Sequence, residues 1–263
     1  MTRPETPSEM SPDSANPATP APTLRIANPG IEGLPRARLE EMHDAAETVL
    51  ECETVLAKSG MSVVSEVLRG QGDFLVWSRY PQGDVFDTET HCHYFYHAHD
   101  AREMAEGENG HFHLFMRPEG IIPGLEPWDL PGAKIPEDTA ARFVHIGAIS
   151  VDAKGRAIRI FTTNRWVTDE CLYRAEDMIR LLDHFAIELA HPNWAVNLWL
   201  SGMVTLYRPQ FAALLRARDA QIEAWLADHP GSEVLEDRSL QNISQWPVDP
   251  VAQIGAIEDK LDL

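Results

Sequence analysis

Hydrophobic and polar residues follow two different periods along this chain, and the change of period separates predicted helices from predicted strands. Between residues 35 and 59, hydrophobic side chains recur at helical spacing, which predicts an amphipathic helix. Residues 62–68 predict a second, short helix. The segment 73–80, DFLVWSRY, is rich in β-favouring residues and predicts a strand that ends in a turn over residues 81–84.

The next segment alternates with period two and concentrates the histidines. Six of the eleven histidines of the chain lie here: His91, His93, His97, His99, His111 and His113. Alternate side chains of a strand share one face, so all six are predicted to lie on the same side of two strands joined by a polar connection. We expect these strands to pair as a hairpin in which His99 faces His111. His97 then faces His113, and four imidazoles converge on one patch of the sheet.

The remaining pattern adds strands and then helices. Residues 142–151 and 156–163 read as two strands that flank a hairpin turn of sequence DAKG. The helical period then returns and continues to Pro230, with an interruption at His191–Pro192 and a predicted N-cap at Asn193. The pattern predicts an α+β fold, with an antiparallel sheet of about five strands covered by N-terminal and C-terminal helices.

The two ends of the chain differ in composition from the middle. Residues 1–35 are rich in Pro, Ser, Thr and Ala and carry few large apolar side chains, so they are predicted to be a disordered tail. Residues 36–250 are predicted to form a single α+β domain that contains the histidine-rich hairpin. Residues 251–263 lack a strong period and are predicted to be a C-terminal tail.

Charge and composition exclude several classes of partner. The chain has 22 basic and 41 acidic residues and a net charge of −19, which argues against nucleic acid and anionic membranes. Three scattered cysteines are too few for a disulfide framework, which favours a reducing, cytoplasmic location. No apolar run approaches the roughly 18 residues of a membrane span, and no export signal is visible. A small molecule is therefore the expected partner, and the oligomeric state stays open.

The histidine cluster is the strongest chemical signal in the sequence. Paired His-x-His motifs on neighbouring strands can bring several imidazoles to one metal ion. The candidate ligands are His97, His99, His111, His113 and His145. Nitrogen ligation of this kind is typical of iron, copper, zinc or nickel and not of magnesium or calcium, so we expect a transition metal of open identity. Among the acidic residues of the connection, Glu108 is the candidate catalytic carboxylate. Whether His91 and His93 belong to the site stays open.

One short motif supports a metal-free alternative. The string GHFHLFMRP at residues 110–118 resembles the His-x-His-x-His signature of the histidine-triad hydrolases and transferases. The resemblance implies that His113 attacks a nucleotide phosphate and that His111 assists it. Phe115 occupies the position of the third histidine, which is a departure from that signature.

A second resemblance covers more of the chain. The combination of YHAH at 96–99, GHFHLF at 110–115 and FTTNRWVTDE at 161–170 resembles an uncharacterised bacterial domain family. This resemblance implies one domain of roughly residues 36–250 and carries no assigned activity.

Arg165 is a further candidate site residue. It follows the last predicted strand in the segment TTNRWVT, where its guanidinium could hold a carboxylate or a phosphate. The alternative is a plain helix entry, with Thr168 as the N-cap.

Taken together, the motifs favour a histidine-ligated, metal-dependent enzyme, with oxidoreductase preferred over hydrolase. The candidate catalytic residues are His113, Glu108 and Arg165. Two alternatives remain at this stage. One is a non-enzymatic intracellular metal-binding protein, and the other is a metal-free phosphate-ester hydrolase that uses His113.

Overall fold

The histidine-rich hairpin lies inside a large mixed sheet. The computed structural model describes residues 21–100 and 102–263, and these form one seven-stranded sheet with eight α-helices. The strands are β1 (Leu24–Arg25), β2 (Tyr80–Asp87), β3 (Cys92–His97), β4 (Gly110–Met116), β5 (Val144–Val151), β6 (Ala157–Thr163) and β7 (Asn242–Pro247). The helices are α1 (Arg36–Lys58), α2 (Val63–Val67), α3 (Pro118–Ile121), α4 (Arg165–Thr168), α5 (Ala175–Leu182), α6 (Trp194–Leu206), α7 (Arg208–Asp228) and α8 (Pro250–Leu261).

The α+β class is confirmed, but the predicted strand count and the purely antiparallel pairing were wrong. The strand order is β1-β7-β6-β5-β4-β3-β2, and every pairing is antiparallel except that of β1 with β7. Strand β1 is only two residues long and leaves no periodic signal. Strand β7 was missed because polar Ser244 occupies a fully buried position, where its hydroxyl lies 2.7 Å from that of Thr162 and donates to the carbonyl of Leu214.

Strand β2 begins at Tyr80, the last residue of the strand predicted over residues 73–80. Residues 73–79 form a loop, and the strand instead passes through the segment 81–84 that was predicted to be a turn. A register shift between Tyr80 and Val85 accommodates the proline and glycine in this segment. The turn-forming residues therefore mark a bulge in a strand.

The helices agree more closely with the sequence pattern. Helix α1 has the predicted bounds within one residue, and the side chain of Asn193 caps α6 by accepting from the backbone N–H of Ala195 at 2.9 Å. Helix α5 ends at Leu182, earlier than the hydrophobic pattern implied. No helix among the described residues is long and apolar enough to cross a membrane.

The chain ends contain more structure than their composition indicated. Residues 1–20 of the predicted disordered tail lie outside the described residues. In the described part of that segment, Leu24–Arg25 pairs with β7 and Ile31 is buried. The predicted C-terminal tail contains α8, on which Ile257 and Leu261 are buried.

The two faces of the sheet have different roles. One face carries Tyr94, Tyr96, Phe112 and Leu114, which join the main hydrophobic core with α6 and α7. Phe112, for example, packs against Trp199 of α6 with ring centroids 5.9 Å apart. Because strand side chains alternate, the residues between these aromatics point to the opposite face, and that face carries the histidines.

Helices α1 and α6 pack closely at Gly202, which has no side chain. A Cβ atom added at Gly202 would lie 2.9 Å from Cγ2 of Val49 and 3.2 Å from the carbonyl oxygen of Ala45. We predict that Gly202→Ala lowers the free energy of unfolding by about 1–3 kcal/mol, because the added methyl forces the helices apart.

Urea denaturation with circular dichroism measures this change. Gly255→Ala in α8 is the matched control, since its added Cβ has no neighbour within 4 Å beyond the adjacent residues and backbone of its own helix. The control should leave stability unchanged or raise it by up to about 1 kcal/mol through helix propensity. Equal effects of the two substitutions would contradict the packing argument.

Candidate metal centre

The histidines converge because of the pairing of β3 with β4. His97 lies opposite His111 and Phe95 lies opposite His113. The predicted pairing of His99 with His111 was therefore wrong by two residues, because β3 ends at His97 and the connection begins earlier. A shift of two residues keeps every side chain on its face, so the predicted face of the cluster is confirmed although the register is not.

The Nε2 atoms of four histidines approach one another on this face. Nε2 of His97 lies 2.8 Å from Nε2 of His111, and 3.2 Å from Nε2 of both His113 and His99. His97, His111 and His113 each offer a ligand atom within 4.8 Å of the other two, and the last two are buried. These three side chains come from adjacent strands, whereas His99 lies in the connection after β3.

The Nδ1 atoms of the same rings face hydrogen-bond partners behind the cluster. Nδ1 of His111 lies 2.6 Å from Oε1 of Glu108. Because an ionised carboxylate can only accept, the proton of His111 lies on Nδ1 and its Nε2 carries a lone pair. Nδ1 of His113 lies 2.9 Å from Nε2 of His145, and Nδ1 of His145 lies 3.2 Å from Oγ1 of Thr163. When Nδ1 of His113 donates to His145 and Nδ1 of His145 donates to Thr163, Nε2 of His113 also carries a lone pair.

Burial disfavours the charged form of three of these rings. Burial, reinforced by the neighbouring histidines, lowers the pKa of His97 to about 2 and that of His99 to about 4. Burial likewise lowers the pKa of His113 well below its usual range. Burial raises the pKa of Glu108, but the hydrogen bond from His111 and the charge of Arg159 outweigh it, so the net pKa is lowered and the carboxylate stays ionised. Neutral imidazole is the form that binds metals.

These distances fit a metal ion better than hydrogen bonds among the rings. His97 has at most one proton on Nε2, and that proton can serve only one of its three Nε2 neighbours. Metal–nitrogen bonds of about 2.0–2.1 Å place two ligand nitrogens about 2.9 Å apart at a right angle and about 3.4 Å apart in a tetrahedron. The observed separations of 2.8 and 3.2 Å from Nε2 of His97 are close to these values. The buried cluster of His97, His111 and His113 can therefore hold a metal ion.

A bulge in β5 brings His145 to the same face. Leu114 lies opposite Gly147, but Phe115 lies opposite His145, so one extra residue is inserted in β5. Gly147 adopts a φ of 146° at this point, and a Cβ there would lie 2.8 Å from the ring of Phe211. The structure therefore places His145 behind His113, where both of its ring nitrogens have partners.

A small cavity of about 40 Å³ adjoins the cluster. His99, His111 and His113 line one side of it, and Arg159, Phe161 and Thr163 of β6 line another. The guanidinium of Arg159 forms an ion pair at 2.9 Å with Oε2 of Glu108, and both residues line the cavity. The cavity has room for a few water molecules or a ligand of comparable size.

Sequence reasoning missed three of these supporting residues. Arg159 and Thr163 alternate with Phe161 on β6, so period two could have placed them on the histidine face. Glu170 had no such signal. Its fully buried carboxyl accepts from the backbone N–H of His145 at 2.6 Å, and burial raises its pKa to about 7.

Other candidate residues lie outside the cluster. The buried guanidinium of Arg165 pairs with Glu236 and Asp169, and its contacts among the described residues do not include the histidines. The side chain of Asn164, not Thr168, caps the short helix α4.

The first two histidines of the ladder also lie apart from the converging rings. His93 shares the face of the cluster but stacks between Phe86 and Phe115, at 4.6 and 4.5 Å. His91 precedes β3, and its ring packs against Gly120. Neither residue contributes a ring nitrogen to the group of converging Nε2 atoms.

Comparison with known proteins identifies the family. The model of a domain of unknown function, DUF6969, matches residues 43–248, and the chain belongs to this family. The resemblance to an uncharacterised domain family is thereby confirmed. No curated protein matches the chain, and no solved structure matches it.

The buried histidines predict that the metal-free protein is sensitive to acid. Burial, with the nearby charges of Arg117 and Arg79, lowers the pKa of His93 to about 3 from 6.5. Below pH 6.5 the unfolded chain binds a proton at this position that the folded protein does not, so stability falls as pH falls towards 3. We predict that His93→Gln makes this loss less steep, by up to about 1.4 kcal/mol per pH unit.

The measurement is urea denaturation between pH 8 and pH 4 in the presence of a chelator. His184→Gln replaces an exposed histidine and should leave the slope of stability against pH unchanged. The same slope in His93→Gln and in the wild-type protein would rule out this source of acid sensitivity.

Proposed function

We propose that this member of the DUF6969 family is a metal-dependent enzyme, with one transition-metal ion bound by Nε2 of His97, His111 and His113. The observation that carries the proposal is that Nε2 of His111 and Nε2 of His113 lie 2.8 and 3.2 Å from Nε2 of His97. Their Nδ1 atoms are hydrogen-bonded to Glu108 and His145. Such outer hydrogen bonds orient ligating imidazoles and raise their basicity.

Burial and rigidity favour an enzyme over a metal buffer. The three ligands stand on adjacent strands inside a seven-stranded sheet, and two of them are at most 4% exposed. A protein that exchanges metal with partners needs accessible ligands, whereas these are fixed and adjoin a cavity. An intracellular metal-binding protein without activity is therefore the second candidate.

The supporting residues have distinct roles in this proposal. Glu108 and His145 set the tautomers of His111 and His113, and Thr163 ends the second hydrogen-bonded chain. The carboxylate of Glu108 contacts His111, Ser150 and Arg159 and accepts from the backbone N–H of Ala105, so it is better placed to orient a ligand than to act as a general base. A bound ion would supply Lewis acidity and, for iron or copper, electron transfer.

Oxidation is the reaction class that we favour. The rings of Phe95, Phe115 and Phe161 flank His113. Several neutral histidines beside aromatic side chains suit iron or copper, the metals that react with dioxygen. A cavity of about 40 Å³ agrees with a co-substrate of this size. Hydrolysis with zinc is the alternative reaction, since three neutral imidazoles also suit a zinc ion that activates water.

The metal-free phosphate hydrolase requires a free Nε2 on His113. That atom lies 3.2 Å from Nε2 of His97, and the residue is 1% exposed. A nucleotide phosphate would have to displace the neighbouring rings to reach it. Chelation separates the two mechanisms, because only the metal-free hydrolase keeps its activity after the metal is removed.

One prediction concerns the metal content of the protein. We expect untagged protein purified without added metal, or reconstituted with iron, copper or zinc, to contain close to one equivalent of metal by ICP-MS. His97→Ala and His113→Ala should each lower that content at least tenfold, because each removes a ligand.

The matched control is His93→Gln, on the same face but outside the cluster, which should retain the metal. Circular dichroism establishes that each variant is folded. Full metal content in a folded His97→Ala, His113→Ala double variant would overturn the proposed site. The metal that is recovered then decides whether oxidase or hydrolase assays follow.

A second prediction concerns the carboxylate behind His111. Glu108→Gln should weaken metal binding about 10- to 100-fold, because the neutral amide no longer fixes the tautomer or raises the basicity of His111. Competition with a chromophoric chelator measures this affinity. Glu106→Gln changes an exposed carboxylate of the same connection and should have no effect. Equal affinities of the two variants would show that Glu108 does not support the ligand.

A further inference from the structure

His99 differs from the other clustered histidines in how it is held. His97, His111 and His113 belong to paired strands, whereas His99 lies two residues beyond the end of β3. Its Nε2 nevertheless lies 3.2 Å from Nε2 of His97, and its ring lines the cavity. No strand pairing fixes this position, so another contact must hold the ring over the cluster.

That contact is with Trp77, in the loop before β2. The indole of Trp77 stacks on the imidazole of His99, with centroids 4.2 Å apart and planes inclined by 18°. The backbone N–H of Trp77 also donates to the carbonyl of Ala98 at 2.8 Å, which ties the two loops together beside the stack.

Trp77 occupies this position at a cost to local stability. Its φ is 69°, a left-handed conformation that is unfavourable for a bulky residue, and its side chain is 54% exposed. An exposed tryptophan with a strained backbone contributes little to the core. Strained residues of this kind cluster at functional sites, where the surrounding structure holds them in place.

We propose that Trp77 is a positioning residue that holds His99 as the fourth ligand of the metal site. This inference rests on the proposed function, because it assumes that an ion is bound by the three strand histidines. The site then has three ligands fixed by the sheet and one carried by a loop, at the edge of the cavity. Movement of the Trp77–His99 pair would open a ligand position next to that cavity.

The physical basis is the electron-rich face of the indole. An imidazole that coordinates a divalent cation gains positive character, and tryptophan is the aromatic side chain that attracts a cation most strongly. The stack is therefore stronger with metal bound than without it. Since the cation–π attraction gained at an exposed site is about 0.5–1 kcal/mol, loss of the indole should weaken metal binding roughly 2- to 5-fold.

The test is a titration of the metal-free, full-length protein with Co(II), followed by its visible spectrum and by competition with a chelator. We expect His99→Ala to change the Co(II) spectrum and to weaken binding. Trp77→Ala should shift the spectrum in the same direction and weaken binding about 2- to 5-fold. Trp77→Phe should restore much of the wild-type affinity, because a ring still stacks on His99.

Two further variants separate positioning from a general structural effect. In the His99→Ala background, Trp77→Ala should cause no additional loss of affinity, because Trp77 acts through His99. Leu75→Ala removes another exposed apolar side chain of the same loop and should bind Co(II) as the wild-type protein does.

The outcomes distinguish this inference from the proposed function. Wild-type affinity and spectrum in Trp77→Ala, or an equal loss in the presence and absence of His99, would overturn the role of Trp77 alone. If the wild-type protein binds no Co(II), or if His113→Ala binds it normally, the metal site itself is wrong and this inference fails with it.

Discussion

Buried, neutral imidazoles held against one another are the constraint on which the rest of the site depends. A buried histidine must remain uncharged and must satisfy both ring nitrogens, or its burial is costly. At His111 and His113 the Nδ1 atoms are satisfied by Glu108 and by His145, and these contacts direct the lone pairs of Nε2 towards His97. A metal ion satisfies all three Nε2 atoms at once, whereas one proton on His97 cannot.

The two-sided sheet makes this arrangement compatible with a stable fold. The face that carries Tyr94 and Leu114 packs on the helices and supplies most of the core. The histidine face is covered mainly by loops, one of which places Trp77 on His99 and Arg79 over the ring of Phe95. Loops tolerate strain and movement better than packed helices, so the core face and the histidine face of the same strands have different surroundings.

Period two and helical spacing were enough to predict the α+β class, helix α1, the N-cap at Asn193 and the shared face of the clustered histidines. They did not predict the register of β3 with β4, because a shift by two residues keeps every side chain on its face of the sheet. Only the length of the connection between the two strands distinguishes the two pairings. Strand β7 escaped notice because a satisfied polar residue, Ser244, stands where a hydrophobic one was expected. The pairing of Arg165 with Glu236 joins residues far apart in sequence, and no local pattern predicts it.

His145 shows most clearly why the site could be predicted only in part. With regular alternation in β5, His145 would share a side with Gly147 and Ile149, and Ile149 is in the helix-packed core. The inserted residue at the bulge turns Ile146 and Gly147 to the core side and returns His145 to the side of His113. Gly147 permits the bulge in two ways. It adopts a positive φ, and its missing side chain leaves space for Phe211. A glycine inside a strand was therefore the one sequence signal of the bulge. The bulge explains why His145, predicted to be a ligand, lies behind His113 and contacts its Nδ1.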